Sequence, residues 1–489
     1  MLNTPLEAVS IGKSPSDNAT AIAVLDSGIL SNHPLLRNAV GDEIAVGTRY
    51  GNKIEDDKPV DDVGHGTKVS GIAMYGDIKQ ELAKKLKLVF VVSTGNFGEY
   101  KHKGFPDSYP DYLLENAEDV KIIDPATSAL SITVGSVTQP YGPLNRHQRD
   151  LFFSPADTHY PSPFTRVGPG YQGMIKPEVV EEGGNVIEDG RGVIPDMGGK
   201  LITLNPDWLS EGRLFSVDHG TSFSTPKVAN YIARLFNKYP HASPNLIKAL
   251  LLSSAQIPKD RPNPLSTIDF KASDKKLIEL LQIYGYGKPN FNRAAFSSGD
   301  WALLINEGQL TPNSIDVYYV YLPSEFIETK GKKTLSVTLV YDPPVNKNRI
   351  DYMGCAMEFH LFKNVEVSEV IESYGPIAGT SITETLNDED TLPQPLKNKE
   401  LKLHPGVILR KKGVHQKGII EYPGPGKPGL DTNKPLVLVV VCQNRWIKAE
   451  DYLQDYAVVV AAEHSMNIDL LNRIKTRNQV RVRATLGRM

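Results

Sequence analysis

The sequence predicts an α/β unit with a mostly parallel sheet flanked by helices, followed by a β-sandwich. Short apolar runs such as Ala21–Leu25 and Leu88–Val92 end in polar or glycine-rich breaks, as buried parallel strands do. Between such runs lie amphipathic helical patterns, for example residues 228–236. After about residue 296 the chain changes to β-rich pieces separated by turn signals, which is typical of antiparallel sheets.

The first predicted strand, Ala21–Leu25, ends in Asp26 within "TAIAVLDSGIL". In open α/β sheets functional groups gather at the carboxyl ends of the strands, so Asp26 is a candidate site residue. An aspartate before Ser-Gly also commonly caps a turn, and this alternative stays open for Asp26 taken alone.

The stretch "DDVGHGTKVSGIA" holds His65 between Gly64 and Gly66, just before an apolar helical pattern. This places His65 at a loop-to-helix junction, where a general base could stand. A single histidine is more often a packed or surface residue, so His65 is not decisive by itself.

The stretch "DHGTSFSTPKVAN" starts a predicted helix near Ser222, with Pro226 in its first turn. Serine is a favoured helix N-cap, which is the simplest interpretation of its position. A nucleophilic serine instead needs a base and a third group that orients the base, and His65 and Asp26 supply those residue types.

Together, Asp-Ser-Gly, Gly-His-Gly-Thr and Gly-Thr-Ser-x-Ser-x-Pro, in that order, resemble the subtilases, the subtilisin-like serine peptidases. The resemblance spans about residues 20 to 295 and implies a catalytic triad of Asp26, His65 and Ser222. It also implies that Asn96, in "VVSTGNFG", donates its side-chain amide to the oxyanion alongside the Ser222 N–H.

The chain departs from the family between His65 and Asn96, where we predict a shortening between residues 76 and 88. The family has two more strands, a helix and often a calcium loop here, including the Ser-Leu-Gly strand that pairs with a peptide substrate. We therefore expect no metal and no cofactor, with at most a weak surface site formed by Asp56, Asp57, Asp61 and Asp62. An internal deletion, a gene-model error and a degenerate paralogue each fit the gap. An inhibitory propeptide is not recognisable, so the chain is either a fragment at its front or an intracellular type with a short leader.

The length of 489 residues predicts two or three domains. We expect a catalytic domain at 1–295 and a β-rich domain at 296–489, with a loop-rich surface insertion at about 372–432. The basic carboxyl-terminal end is expected to be a solvated strand.

Composition excludes several classes of function. A net charge of −3 gives no reason to expect nucleic acid, and no apolar run is long enough to span a membrane. Only two cysteines, Cys355 and Cys442, occur, which with the lack of a signal peptide predicts a cytoplasmic location. The two-part layout resembles cytoplasmic bacterial subtilases encoded beside AAA-type ATPases, so such an ATPase is a candidate partner beside the protein or peptide substrate.

The predicted function is that of a serine endopeptidase acting through an acyl-enzyme. One alternative is a catalytically impaired pseudoprotease or binding module, because the substrate-binding strand is not found in the sequence. The other is a truncated product without a stable fold.

Overall fold

The computed structural model describes residues 88–98, 100, 105–115, 118–140, 152–194, 197–269, 272–375, 392–424, 429–448 and 451–475. It also describes the strand backbones at 48–49, 52–53 and 481–484. Several predicted features lie outside the described residues: the strand Ala21–Leu25, Asp26, His65 and the segment 77–87.

A parallel sheet forms the centre of the N-terminal part. The strands described before residue 296 are β1 (Thr48–Arg49), β2 (Asn52–Lys53), β3 (Val91–Ser93), β4 (Ile132–Val137), β5 (Val179–Glu182), β6 (Ile187–Glu188), β7 (Val193–Ile194), β8 (Leu201–Leu204) and β9 (Phe215–Asp218). Strands β3, β4 and β5 pair in that order and in parallel, whereas β8 and β9 form an antiparallel hairpin. The predicted strand at Leu88–Val92 is confirmed in type but begins at Val91.

The helices of this part are α1 (Asp111–Leu114), α2 (Trp208–Glu211), α3 (Thr221–Lys238), α4 (Pro244–Ser254), α5 (Asp274–Tyr284) and α6 (Phe291–Ala295). Helix α3 packs on the sheet through Val228, Ile232 and Leu235, the apolar stripe that the sequence predicts. Strand β4 is buried along its whole length, as a central parallel strand should be.

The C-terminal part is a β-sandwich of two antiparallel sheets. Its strands are β10 (Trp301–Leu310), β11 (Ser314–Val320), β12 (Lys333–Tyr341), β13 (Cys355–Phe362), β14 (His415–Tyr422), β15 (Leu436–Asn444), β16 (Gln454–His464) and β17 (Arg481–Ala484). The sheet orders are β10-β16-β12-β14 and β13-β15-β11-β17. The helices are α7 (Ser324–Glu328), α8 (Val367–Tyr374), α9 (Val407–Arg410) and α10 (Leu470–Lys475).

Both sheets of the sandwich are also covered on their outer faces. Val340, Ala457 and Val459 point away from the sandwich core and join the core of the N-terminal part beneath helix α4. On the other sheet, the outer face of β15 packs under α8. This double burial explains why "LVLVVV" in β15 shows no polar alternation.

Two segments differ from their predicted form. The stretch 372–432, expected to be a surface insertion, contains strand β14, whose residues His415–Lys417 are buried. Their polar side chains are hydrogen-bonded inside the protein, so they are buried although their residue types are typical of loops. In the basic carboxyl-terminal end, the residues up to Lys475 belong to helix α10, which was not predicted, whereas Arg481–Ala484 form the predicted strand, β17, which pairs with β11.

Within the described ranges, no helix has both the length and the apolar character required to cross a membrane.

Candidate active site

Ser222 is the second residue of helix α3, and the helix begins at Thr221. The N-cap is Gly220, which has no side chain, so the interpretation of Ser222 as the helix cap is wrong. The Ser222 N–H belongs to the first turn, whose amides have no acceptor within the helix. The helix dipole adds positive potential at the same place, which favours a bound anion.

Pro226 is the sixth residue of α3, not a member of its first turn. Because proline has no N–H, it cannot donate to the carbonyl of Ser222 four residues earlier. The turn is held instead by the Ser224 and Thr225 hydroxyls, which donate to the carbonyl oxygen of Thr221 at 2.8 and 2.9 Å. The helix therefore continues through the proline.

Asn96 follows strand β3 and reaches the start of α3. Its Oδ1 accepts from the N–H of Thr221 at 2.9 Å and from the Thr221 hydroxyl at 3.0 Å. Two donors on one atom determine which end of the amide is oxygen. Among the described residues none accepts from Nδ2, and the side chain is exposed, so this nitrogen can donate to a ligand.

Gly220 lies between these two elements and has to be glycine. Its φ is 149°, and a Cβ at this position would come within 2.9 Å of Asn96 Nδ2. The Gly220 N–H donates to the carbonyl of Gly183 at 2.8 Å, directly after β5. The ends of β3 and β5 and the start of α3 are thus joined within a few ångströms of Ser222.

His219 also lies close to this point. Its ring packs against Phe164 with centroids 5.1 Å apart. Burial and the nearby Lys200 lower the pKa of His219, while Asp218 acts in the opposite direction. The neutral form of His219 is therefore favoured, which limits positive charge beside Ser222.

Of the predicted site residues, the structure brings Asn96 and Ser222 together, and Asp26 and His65 lie outside the described residues. The geometry is that of a serine with an amide donor beside it at a helix N-terminus. Such an arrangement suits a reaction in which an oxyanion forms at the serine.

Comparisons with known proteins bear on this arrangement. The model of a family described as the subtilase family matches residues 17–82 and 77–287. The chain belongs to the subtilase family. An uncharacterized protein of Sinorhizobium fredii, y4bN, is 33% identical over 408 residues, covering 81% of this chain and 89% of the relative. The subtilisin-like protease SBT5.3 of Arabidopsis thaliana is 25% identical over 162 residues, which cover 33% of this chain and 20% of the relative.

Solved structures of subtilases are also similar, over less than half of their length. The epidermin leader peptide processing serine protease of Staphylococcus aureus has 19% identity and a TM-score of 0.24, over 44% of this chain and 41% of that one. Fervidolysin of Fervidobacterium pennivorans, a keratinolytic enzyme related to subtilisin, has 14% identity and a TM-score of 0.24, over 61% of this chain and 45% of that one.

The two stretches matched by the subtilase model meet at residues 77–82. This overlap falls within the predicted shortening between residues 76 and 88. Residues 77–87 lie outside the described residues. One contributor to the site, Thr221, was not predicted as such. Thr221 lies inside the Gly-Thr-Ser motif, so its proximity could have been foreseen, whereas nothing in the sequence shows that its hydroxyl orients Asn96.

Proposed function

We propose that this subtilase is a serine endopeptidase in which Ser222 is the nucleophile, His65 the general base and Asp26 the residue that orients the base. His65 takes the proton of the Ser222 hydroxyl as its oxygen attacks a peptide carbonyl. The protonated His65 then gives that proton to the leaving amine. Water, activated by the same histidine, releases the acyl group from Ser222.

The observation that carries this proposal is the pairing of Asn96 with the start of α3. The amide of Asn96 is held by Thr221, so its Nδ2 is preorganised before any substrate arrives. With the Ser222 N–H it supplies two donors for the tetrahedral oxyanion. One such donor contributes about 3–4 kcal/mol to transition-state stabilisation.

We propose in addition that the shortening between residues 76 and 88 weakens the binding of peptides more than the chemistry at Ser222. Subsites remote from the scissile bond hold it in a reactive geometry, and losing them costs about 100-fold or more in rate. A small activated ester needs few of these contacts. We therefore expect slow ester turnover and poorer cleavage of oligopeptides.

The test is labelling of the full chain with a fluorophosphonate probe. Wild type is expected to be labelled once, and Ser222→Ala and His65→Ala are expected to lose the label, because an unassisted serine is a weak nucleophile. Ser224→Ala is the matched control, since this buried serine lies two residues away and donates only to a helix carbonyl. Labelling that persists in Ser222→Ala, or a folded wild type that takes no label, would refute the proposal.

The cytoplasm is the proposed location. Cys355 and Cys442 are both free and buried, which is compatible with a reducing compartment. Recovery of the chain in a secreted or periplasmic fraction of its own cells would contradict this.

A further inference from the structure

The segment 161–167 runs beside Asn96. Thr165 forms an antiparallel bridge with Asn96, and the N–H of Phe97 donates to the carbonyl of Phe164 at 2.7 Å. Arg166 follows directly, and its side chain lies along the loop that carries Asn96. Its Cδ is 3.2 Å from the place that a Cβ on Gly95 would occupy.

The guanidinium of Arg166 joins this loop to a second one. Its Nε donates to the carbonyl oxygen of Asn96 at 3.3 Å. Its Nη1 donates to the carbonyls of Asp119 and Lys121 at 2.6 and 2.9 Å. The guanidinium also lies 5.9 Å from the ring centroid of Phe97.

From these contacts we propose that Arg166 is a positioning residue for oxyanion stabilisation, acting through Asn96. The inference rests on the proposed function, because it requires Asn96 to be the oxyanion donor. Thr221 holds the side chain of Asn96, and Arg166 holds its backbone carbonyl. With both in place, the exposed Nδ2 keeps its direction without support from solvent.

The shape of the arginine side chain is essential to this role. A planar guanidinium can donate to carbonyls of two different loops at once, whereas a lysine ammonium is a point charge on a flexible stem. When Arg166 is removed, the loop is still joined to segment 161–167 by backbone hydrogen bonds. The protein should therefore fold, with Asn96 less well placed.

The experiment is a double-mutant cycle in the full chain, using kcat and KM for a small activated ester. Asn96→Ala is expected to lower kcat about 100-fold or more. Arg166→Ala is expected to lower kcat about tenfold with KM changed less than about twofold, because only the placement of the donor is disturbed. In the Asn96→Ala background, the Arg166→Ala substitution should cost less than about twofold.

Two further variants separate positioning from a merely structural role. Arg166→Lys keeps the stem and the charge, and its kcat should stay close to that of Arg166→Ala, while added guanidinium ion at millimolar concentration should partly restore kcat in Arg166→Ala. Arg473→Ala is the control, because this arginine of the sandwich also donates to a carbonyl, that of Ile468, at 3.0 Å. Its kcat should match that of wild type.

The outcomes are distinct. The inference would be overturned if Arg166→Ala lowered kcat by the same factor in wild type and in the Asn96→Ala background, or if Arg166→Ala kept full activity. Either result would leave the nucleophile assignment intact. Full activity in Asn96→Ala, with activity lost in Ser222→Ala, would overturn the oxyanion assignment and the inference together. Should Arg166→Ala fail to fold, the same cycle with Arg166→Lys decides the question.

Discussion

Asn96 and Lys417 each bind the end of a helix with a polar side chain, but at ends of opposite polarity. Asn96 accepts hydrogen bonds at the N-terminal end of α3. Lys417, on β14, donates to the carbonyls of Leu252, Ser253 and Ala255 at the C-terminal end of α4, at 3.0, 3.0 and 2.6 Å. Both contacts match the helix dipole. They differ in access, since Asn96 is exposed and Lys417 is 2% exposed.

This difference separates a proposed ligand site from a structural contact, the joint between Lys417 and the C-terminal end of α4. At α3, donors remain available beside Ser222 after Thr221 has bound Asn96, so a ligand can use them. At α4, the carbonyls are bound by a residue of the sandwich and are closed to solvent. Residues 245–254 of α4 are all buried, as expected for a helix enclosed between helices α3 and α6 and the sandwich. The sandwich therefore completes the core around α4.

Replacing Lys417 with methionine should have the largest effect on stability. Lys417→Met fills a similar volume but leaves the buried carbonyls of Ser253 and Ala255 without this donor, whereas the carbonyl of Leu252 still accepts from the Ala255 N–H. We expect this to cost about 3 kcal/mol of unfolding free energy. Urea denaturation followed by circular dichroism measures this change.

The matched control is Lys332→Met. Lys332 is 48% exposed and pairs with Glu421 at the sandwich surface, so its loss should cost less than about 1 kcal/mol. Equal losses of unfolding free energy in the two variants would show that the hydrogen bonds of Lys417 stabilise the protein no more than a surface ion pair does. Separate unfolding of the sandwich in wild type, with the N-terminal part still folded, would show that the joint is not needed.

The same comparison shows what sequence patterns can and cannot predict. The proximity of Asn96 to the start of the helix that carries Ser222 was predictable from the short motifs around the two residues. The strands β11, β12, β13, β15 and β16 were predictable because their apolar runs have the length and residue types of strands.

The joint was not predictable from such patterns. "HQKGII" in β14 contains His, Gln and Lys, which indicate a solvated loop when burial is unknown. The partners of His415 and Lys417 lie far away in the sequence, at Glu178 and in the last turn of α4. Local periodicity carries no information on such long-range hydrogen bonds, and for the same reason it does not show that Arg166 reaches Asn96.

A second way to test the joint is through pH, because His415 lies beside Lys417 on β14. Burial lowers the pKa of His415 to about 4, although Glu178 accepts a hydrogen bond from its Nδ1 at 2.8 Å; Lys248 and Lys176 lower the pKa further. The unfolded chain therefore binds a proton between pH 6.5 and 4 that the folded chain does not. The free energy of unfolding should fall by up to about 3 kcal/mol as pH falls through this window.

His415→Asn removes this titration and keeps an N–H donor for Glu178, so it should flatten the pH dependence between 6.5 and 4.5. His360, buried in the other sheet, provides the opposite case. Burial opposes its protonation, but the carboxylates of Glu358 and Glu400, 3.6 and 2.7 Å from its two ring nitrogens, raise its pKa to about 9. Its contribution to stability is present below pH 6.5 and is lost as pH rises through 9. If the free energy of unfolding of His415→Asn still fell between pH 6.5 and 4.5 as it does in wild type, the pH dependence could not be assigned to His415.

The smallest expected effect is that of a substitution at the exposed helix end, the N-terminus of α3. Thr221→Val keeps the shape of this buried side chain and the backbone N–H that binds Asn96, but removes the hydroxyl that donates to Oδ1 at 3.0 Å. One of two hydrogen bonds that orient the amide is lost, at a cost of about 1 kcal/mol, so kcat for an activated ester should fall about fivefold. Thr225→Val removes a buried hydroxyl one turn later that bonds only the carbonyl of Thr221, and its kcat should stay within about twofold of wild type. Equal losses in the two variants would mean that the start of α3, and not the direction of Asn96, limits the reaction.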